Sequence, residues 1–153
     1  MTLNLVELRR GPANRNIWLP PFDFQVTYEN DRWWDEPRYR DDDPWFVQVL
    51  EDGAEVARVE FDDPGGINLQ YENVPPLGPE RLEIQFFEVA TPARHRGIGA
   101  RVVQALYELH TDRRLFAYSE EAHGFWASLG WDRFSHPEGD RYYRPLFIQP
   151  PTI

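Results

Sequence analysis

The sequence predicts a single α/β domain, and three local patterns lead to that prediction. An apolar strand over Leu82–Val89 runs into a short loop that ends in Arg-x-x-Gly-x-Gly, and a helix follows at once. Asp52-Gly53 lies between two apolar runs, which is a strong signal for a two-residue β-hairpin. A second helical segment ends at Leu129-Gly130, and glycine commonly terminates helices. Because 153 residues is the size of one domain, we assign residues 1–153 to a single domain.

The first half of the chain is predicted to contain strands and one irregular segment. Alternation of apolar and polar residues over Phe22–Tyr28 predicts a strand. The runs Pro44–Leu50 and Ala54–Phe61 flank the hairpin turn and predict its two strands. Asp31–Asp43 combines aromatic and charged residues without a helical period, so we predict an irregular segment there.

The second half is predicted to alternate helices and strands. The helix after the glycine loop carries an apolar stripe at helical spacing, made of Ile98, Val102, Ala105, Leu106 and Leu109. Leu115–Tyr118 predicts a short buried strand, and Ser119 is predicted to cap the second helix. Trp131–Phe134 and Tyr142–Ile148 predict a final pair of strands. From the hairpin onward, the predicted order is therefore β-β-β-α-β-α-β-β.

The charge of the chain restricts its partners. The net charge of −10 disfavours nucleic acid, which proteins bind through clustered Lys and Arg. Glu29–Asp63 holds 13 carboxylates and four arginines, a net charge of −9, whereas Arg81–Arg101 has a net charge of +2. An acidic half beside a basic half suits a cationic amine and an anionic nucleotide. Alternatively, the acidic half is a solvated face that keeps the protein in solution.

Composition excludes several further classes of site. The chain has no cysteine, so disulfides and thiolate catalysis are excluded. It has no apolar run of the roughly 20 residues that span a bilayer, and its start lacks the pattern of a signal peptide. We therefore expect a cytoplasmic protein without a membrane partner. The histidines show no spacing typical of metal ligands, so no metal is expected; they are His95, His110, His123 and His136.

The glycine loop is predicted to bind phosphate. A strand–loop–helix with two glycines presents backbone N–H groups at a helix N-terminus, and the missing Cβ atoms let a ligand approach closely. A Rossmann loop would need a third glycine where Val102 stands, and a Walker loop would need a lysine, which the chain lacks. The spacing resembles the acyl-CoA pyrophosphate loop of the GCN5-related N-acetyltransferase (GNAT) superfamily, whose signature is Arg/Gln-x-x-Gly-x-Gly/Ala.

A second segment carries the same resemblance. Ala122–Trp131 is similar to the C-terminal helix and turn of that superfamily, Ala-x-x-Φ-Tyr-x-x-Leu-Gly-Phe, where Φ is apolar. The resemblance implies a mixed, mostly antiparallel central sheet flanked by helices. It also implies that the sheet splays between Leu82–Val89 and Leu115–Tyr118, with CoA in the gap. The two helices that usually begin the family fold are not evident in the first 80 residues.

The resemblance implies an enzyme that transfers an acetyl group from acetyl-CoA directly to a primary amine, without a covalent enzyme intermediate. The acceptor expected from the charge distribution is a cationic small molecule or peptide, and the protein is a candidate homodimer. Two alternatives remain open: an acyl-CoA sensor that has lost catalysis, and an interaction module whose glycine turn binds no ligand.

Family positions map onto cofactor contacts in this chain. The pyrophosphate contacts, mainly through backbone N–H groups, map to Arg94, His95, Arg96, Gly97, Gly99 and Ala100. Val89 is the position whose backbone N–H would meet the thioester carbonyl. Ser119 stands where the family often has Asn near the pantetheine arm, although the residues favour a simple helix-capping role over a direct cofactor contact.

The catalytic residues are less evident, because Trp126 replaces the tyrosine that usually protonates the CoA thiolate. Indole is not a usable acid near neutral pH. The thiolate could leave unassisted or through water, or Tyr118 could substitute as the acid. Glu88 and His123 are candidates for the base that deprotonates the amine. For Glu88 the alternative is a purely structural pairing with an arginine.

Overall fold

A computed structural model describes residues 2–9, 18–35 and 44–151. The strands are β1 (Leu3–Arg9), β2 (Trp45–Glu51), β3 (Ala54–Asp62), β4 (Arg81–Val89), β5 (Arg114–Tyr118), β6 (Asp132–Phe134) and β7 (Leu146–Ile148). The helices are α1 (Ile98–Leu109) and α2 (His123–Ser128). Residues 36–43 of the predicted irregular segment lie outside the described residues. The predicted order of elements from the hairpin onward is confirmed.

The seven strands form one mixed sheet in the order β1-β2-β3-β4-β5-β7-β6. The pairs β1–β2, β2–β3, β5–β7 and β7–β6 are antiparallel, whereas β4 and β5 are parallel. The parallel register joins Arg81–Glu83 to residues 114–116, while β4 continues to Val89 and β5 to Tyr118. The predicted α/β class with a mostly antiparallel sheet is confirmed. Neither helix in the described ranges has the length and apolar character that a bilayer crossing requires.

The described residues fall into two compact units, and the boundary passes through β4. The first unit comprises the chain up to residue 61 together with 86–109, and the second comprises 62–85 and 110 onward. The first therefore contains the hairpin, the glycine loop and α1. The second contains β5, α2 and the C-terminal strands. That the whole chain acts as a single domain stays a prediction.

In the first unit, the predicted hairpin is confirmed by its turn. Asp52 and Gly53 both have positive φ, 52° and 85°, which the favoured two-residue turn requires. The predicted strand at Phe22–Tyr28 is wrong, because the segment has a turn at residues 24–25 and irregular backbone elsewhere. It is instead anchored to β3: the Asp23 N–H and the Tyr28 hydroxyl both donate to the buried Glu55 carboxylate, at 2.9 and 3.0 Å.

Helix α1 follows the glycine loop as predicted, although its buried face differs in detail. The residues that it buries are Ile98, Val102, Val103 and Leu106. Leu109, predicted to belong to the stripe, is 59% exposed at the end of the helix, and Ala105 is half-buried.

In the second unit, one cluster of buried apolar residues contains Tyr71, Phe116, Leu146 and Ile148. Helix α2 begins at His123, so the prediction that Ser119 caps its N-terminus is wrong. The Ser119 hydroxyl nevertheless accepts a hydrogen bond from the Ala122 N–H at 3.0 Å, which orders the turn before the helix. The predicted glycine terminator is confirmed, since Gly130 has φ of 79° just beyond α2.

Candidate active site

The loop between β4 and α1 is held by backbone hydrogen bonds at its start, and two residues near its end adopt the left-handed backbone conformation. The Ala90 N–H donates to the Val56 carbonyl at 2.7 Å, and the Thr91 N–H donates to the Thr27 carbonyl at 2.9 Å. His95 and Gly97 then adopt φ of 63° and 72° before α1 begins. Left-handed residues alternating with other conformations turn successive N–H groups toward one side, which creates a concavity for an anion.

The first turn of α1 adds further donors to this loop. N–H groups in the first turn of a helix have no carbonyl acceptor within the helix, and the helix dipole favours an anion there. A Cβ built on Gly97 would meet no other protein atom within 4 Å, so the space in front of this residue is open. The loop therefore fits a pyrophosphate. The predicted cofactor contacts from Arg94 to Ala100 all lie on this loop and first turn.

Carboxylates hold the arginines of the loop. Arg94 pairs with Glu29 at 2.7 Å and with Glu88 at 3.4 Å. Arg96 and Arg101 both pair with Glu51, at 2.6 and 3.3 Å. The hydrogen bond from Arg96 is the main reason why the pKa of the Glu51 carboxyl lies below its usual value. Backbone N–H groups are therefore the donors best placed for an incoming anion.

Glu88, predicted as a candidate base, is buried and receives many hydrogen bonds. Its carboxylate accepts from the backbone N–H groups of Glu29 and Asn30 at 2.8 and 3.0 Å, and from the Asn30 side chain at 3.1 Å. The Trp34 indole N–H donates to the other oxygen at 3.0 Å. With Arg94 added, these contacts link Glu88 to the segment around Asn30 and support the structural alternative. A catalytic role for Glu88 stays a prediction.

Val89 ends β4, and its carbonyl accepts a hydrogen bond from the Nε of Arg94 at 3.3 Å. Its side chain is half-buried. The predicted contact between the Val89 N–H and the thioester carbonyl stays a prediction.

Tyr118, the predicted substitute acid, forms hydrogen bonds with a loop of the second unit. Its hydroxyl accepts from the Asn68 N–H at 2.9 Å and donates to the Gly66 carbonyl at 3.2 Å. Burial raises the pKa of the Tyr118 phenol above its usual value. The hydroxyl is thus a weak acid whose proton already has an acceptor, and its role toward the thiolate stays a prediction.

Ser119 and His123 form a hydrogen-bonded pair. The Ser119 Oγ lies 2.7 Å from the Nδ1 of His123, and Ser119 is 1% exposed. Trp126, which stands at the family's tyrosine position, is also buried. Its ring packs against those of Phe125 and Trp131, with centroids 5.0 and 4.8 Å apart. Trp126 therefore contributes to packing at this end of α2.

Sequence reasoning missed Glu83, which lies on β4 five residues before Glu88. Burial is the main reason why the pKa of the Glu83 carboxyl is raised to about 7; the nearby Asp62 acts in the same direction, and Arg144 opposes it. Gly65 packs closely against this side chain, because a Cβ on Gly65 would lie 2.5 Å from the Cβ of Glu83. A carboxyl that titrates near neutral pH is suited to general base catalysis. Both glutamates follow apolar residues on one strand, and their separation by five positions predicts opposite faces, but the sequence alone does not indicate which face carries the chemistry.

The structure divides the candidate residues between the two units. The glycine loop, Val89 and Glu88 belong to the first, and Glu83, Tyr118, Ser119 and His123 belong to the second. Within the described ranges, the His, Asp and Glu side chains form no group of three or more that could hold a metal ion.

Comparison with known proteins identifies the family. Residues 12–131 match the family model described as "Acetyltransferase (GNAT) family", which covers most of the chain. The chain belongs to the GNAT family. The resemblance noted in its two sequence motifs is therefore confirmed. No curated protein sequence gives a significant match.

Solved structures show the same fold at low identity. An acetyltransferase from Thermus thermophilus matches with a TM-score of 0.51 and 13% identity, over 79% of this chain and 70% of the other. The Bacillus subtilis N-acetyltransferase YlbP, solved in complex with coenzyme A, has a TM-score of 0.50 and 19% identity, over 78% and 77%. A structure described as a bacterial toxin has a TM-score of 0.59 and 13% identity, over 96% and 91%. These similarities establish the GNAT fold of this chain.

Proposed function

We propose that this protein is an N-acetyltransferase that transfers the acetyl group of acetyl-CoA directly to a primary amine. The observation that carries the proposal is the loop at His95–Ala100. Two left-handed residues and the first turn of α1 present backbone N–H groups there, and the space in front of Gly97 is open. Membership of the GNAT family and the coenzyme A bound to its structural neighbour YlbP support the choice of ligand.

In this proposal the loop holds the pyrophosphate of acetyl-CoA mainly through main-chain N–H groups. The arginines are secondary, because Arg94 and Arg96 already pair with carboxylates. Their guanidinium groups keep the local charge from becoming strongly negative, and thereby allow an anion to approach.

The chemistry requires a group that removes a proton from the amine. An amine is protonated near neutral pH, and only its free form can attack the thioester carbonyl. We assign this task to Glu83, because a carboxyl with a pKa of about 7 is a stronger base than an ordinary glutamate. The new C–N bond forms as the C–S bond breaks, and the sulfur keeps the bonding electrons.

The proposed acceptor is a cationic amine, such as a polyamine or a basic peptide. The support is the net charge of −9 over Glu29–Asp63, since a negative rim attracts cations and repels nucleic acid. Aspartates 41–43 of this stretch lie outside the described residues. Raising the salt concentration should weaken binding of such an acceptor, because exposed charges are screened within about 10 Å at 0.1 M salt.

The decisive experiment measures acetyl-CoA binding by thermal shift and calorimetry. Acetyl-CoA should raise the melting temperature, because a ligand that binds only the folded state stabilises it by mass action. Gly99→Glu should abolish the shift, since it places bulk and negative charge beside the pyrophosphate. Gln104→Glu is the matched control, because it adds the same charge to an exposed position of α1 beyond the first turn. If acetyl-CoA does not stabilise the parent protein, the proposed function is wrong.

Turnover is then measured as release of free CoA thiol with spermidine, a basic peptide and aspartate as acceptors. We expect the two cationic acceptors to be acetylated and aspartate to be poor. Equal rates for all three, without salt dependence, would contradict the proposed acceptor class. Binding of acetyl-CoA without thiol release from any amine would indicate the sensor instead.

A further inference from the structure

We propose that Ser119 holds His123 in the tautomer that carries its proton on Nε2, and that this N–H donates a hydrogen bond to the sulfur that leaves the thioester. The inference rests on the proposed acetyltransferase function. It assigns His123 a task other than that of a base, and it makes Ser119 a positioning residue.

The hydrogen bonds around Ser119 determine the tautomer. Its Oγ accepts from the Ala122 N–H at 3.0 Å and lies 2.7 Å from the Nδ1 of His123. Because Ser119 is buried, its own hydroxyl proton needs an acceptor, and the Nδ1 lone pair is the acceptor at hand. A neutral imidazole that accepts at Nδ1 carries its proton on Nε2. The pair therefore presents His123 as a hydrogen-bond donor.

The Nε2 of His123 is the ring nitrogen that can donate a hydrogen bond to a ligand. Its ring is half-buried, and among the residues that the structure describes its Nε2 has no hydrogen-bond partner. Nδ1, by contrast, is covered by Ser119. A donor with a fixed orientation and an unused proton is suited to stabilise a developing negative charge, because it needs no reorganisation during the reaction.

The place of the pair in the sheet supports this role. Ser119 follows β5, which is the parallel partner of β4 and pairs with it through Phe116 and Glu83. Ligands of open α/β sheets bind outside the carboxyl ends of parallel strands, and Ser119 lies at such an end. Glu83, the proposed base, lies on the strand that pairs with β5. The base and the donor therefore belong to the same pair of strands.

The protonated amine first gives one proton to Glu83. The free amine nitrogen then forms a bond to the carbonyl carbon, the C–S bond breaks, and both electrons remain on sulfur. The thiolate accepts a hydrogen bond from the His123 Nε2–H, and the second proton of the nitrogen passes to the sulfur through water, so CoA leaves as the thiol and His123 keeps its proton. A neutral imidazole acting as an electrophile has a precedent in triosephosphate isomerase.

The first test measures the tautomer in the parent protein by 15N NMR of the histidine rings, with the His123 signals assigned by their loss in His123→Ala. We expect a protonated Nε2 and an unprotonated Nδ1. In Ser119→Ala the two tautomers should both be populated, whereas Ser128→Ala, which removes an exposed hydroxyl from the same helix, should leave the signals unchanged. A neutral ring protonated at Nδ1 in the parent would overturn the proposal.

The second test uses CoA itself as the probe and does not depend on turnover. A hydrogen bond from His123 should lower the pKa of the bound CoA thiol, which is measured by the ultraviolet absorbance of the thiolate. Removing the donor in His123→Ala should raise that pKa by about one unit, since hydrogen bonds to charged groups are stronger than neutral ones. Glu83 and Tyr118 are present in both proteins, so their influence on the thiol cancels.

The outcomes separate the two proposals. If calorimetry detects no CoA binding, the proposed function fails, and the NMR test of the pair still stands. If CoA binds with equal affinity to the parent and to His123→Ala, and the thiol pKa is the same in both, the role of His123 is overturned. Where turnover is measured, His123→Ala should lower kcat at least tenfold and leave the affinity for acetyl-CoA unchanged.

Discussion

The two glutamates of β4 show how far the environment of a residue decides its chemistry. Glu88 receives hydrogen bonds from two backbone N–H groups, an amide, an indole and a guanidinium. Glu83 instead lies near a second carboxylate, Asp62, and burial raises its pKa to about 7. Glu88 is therefore held in a hydrogen-bond network, whereas Glu83 can take up a proton near neutral pH.

The difference has a physical origin. Donors aimed at a carboxylate stabilise its charged form, whereas burial without enough donors disfavours charge. Apart from Arg94, the donors of Glu88 come from a segment 54 to 59 residues earlier in the chain. Around Glu83 the backbone of Gly65 packs closely against the side chain.

The largest expected effect is on catalysis. Glu83→Gln should lower kcat by about 10²- to 10⁴-fold, the usual contribution of general base catalysis, and the fold should be retained. In the parent, kcat/KM should fall below about pH 7, as the base becomes protonated. Glu72→Gln, at an exposed position of the same unit, serves as the control. A fully active Glu83→Gln, together with an inactive but folded Glu88→Gln, would reverse our assignment of the two glutamates.

The next effect is on stability. Glu88→Gln should lower the free energy of unfolding by about 2–4 kcal/mol, because its amide would face several donors and leave them unpaired in a buried site. Urea denaturation measures the loss. Glu29→Gln removes the exposed partner of Arg94 and should cost less than about 1 kcal/mol. If the two variants lose equal stability, the Glu88 network does not anchor the segment around Asn30.

A smaller effect concerns stability as a function of pH. The folded protein binds a proton at Glu83 more tightly than the unfolded chain, so this residue makes stability fall as pH rises from its ordinary pKa of 4.5 through about 7. At pH 8, the free energy of unfolding of Glu83→Gln, measured by urea denaturation, should therefore exceed that of the parent by on the order of 2 kcal/mol. Below pH 4.5 the two proteins should be alike. Equal stability at both pH values would contradict the raised pKa.

The smallest effect extends the comparison to Glu51, a carboxylate that neutralises the arginines of the glycine loop. Glu51→Gln should remove the carboxylate charge that pairs with Arg96 and Arg101 and strengthen acetyl-CoA binding severalfold at low salt, measured by calorimetry. The gain should shrink as salt increases. Asp52→Asn changes the charge at the neighbouring residue without removing the pair, so its effect should be smaller. Weaker binding in Glu51→Gln would mean that the pair positions the loop.

The sequence by itself was sufficient for features that depend on a few adjacent residues. The hairpin at Asp52-Gly53, the helix after the glycine loop and the end of α2 at Gly130 were all predicted. Each depends on local backbone preferences, such as positive φ at a turn. The family could likewise be read from two short motifs. β1 was not predicted, and its antiparallel pairing with β2 involves residues more than 35 positions away.

Only the tertiary structure decided which residues face which environment. Phe22–Tyr28 alternates like a strand, yet the buried Glu55 and Arg58 on β3 anchor it as an irregular segment. The sequence alone led to Glu88 as the candidate base, whereas Glu83 has the raised pKa and Ser119 covers one nitrogen of His123. A pKa depends on the donors, charges and water within a few ångströms of the group, and folding brings these together from distant parts of the chain.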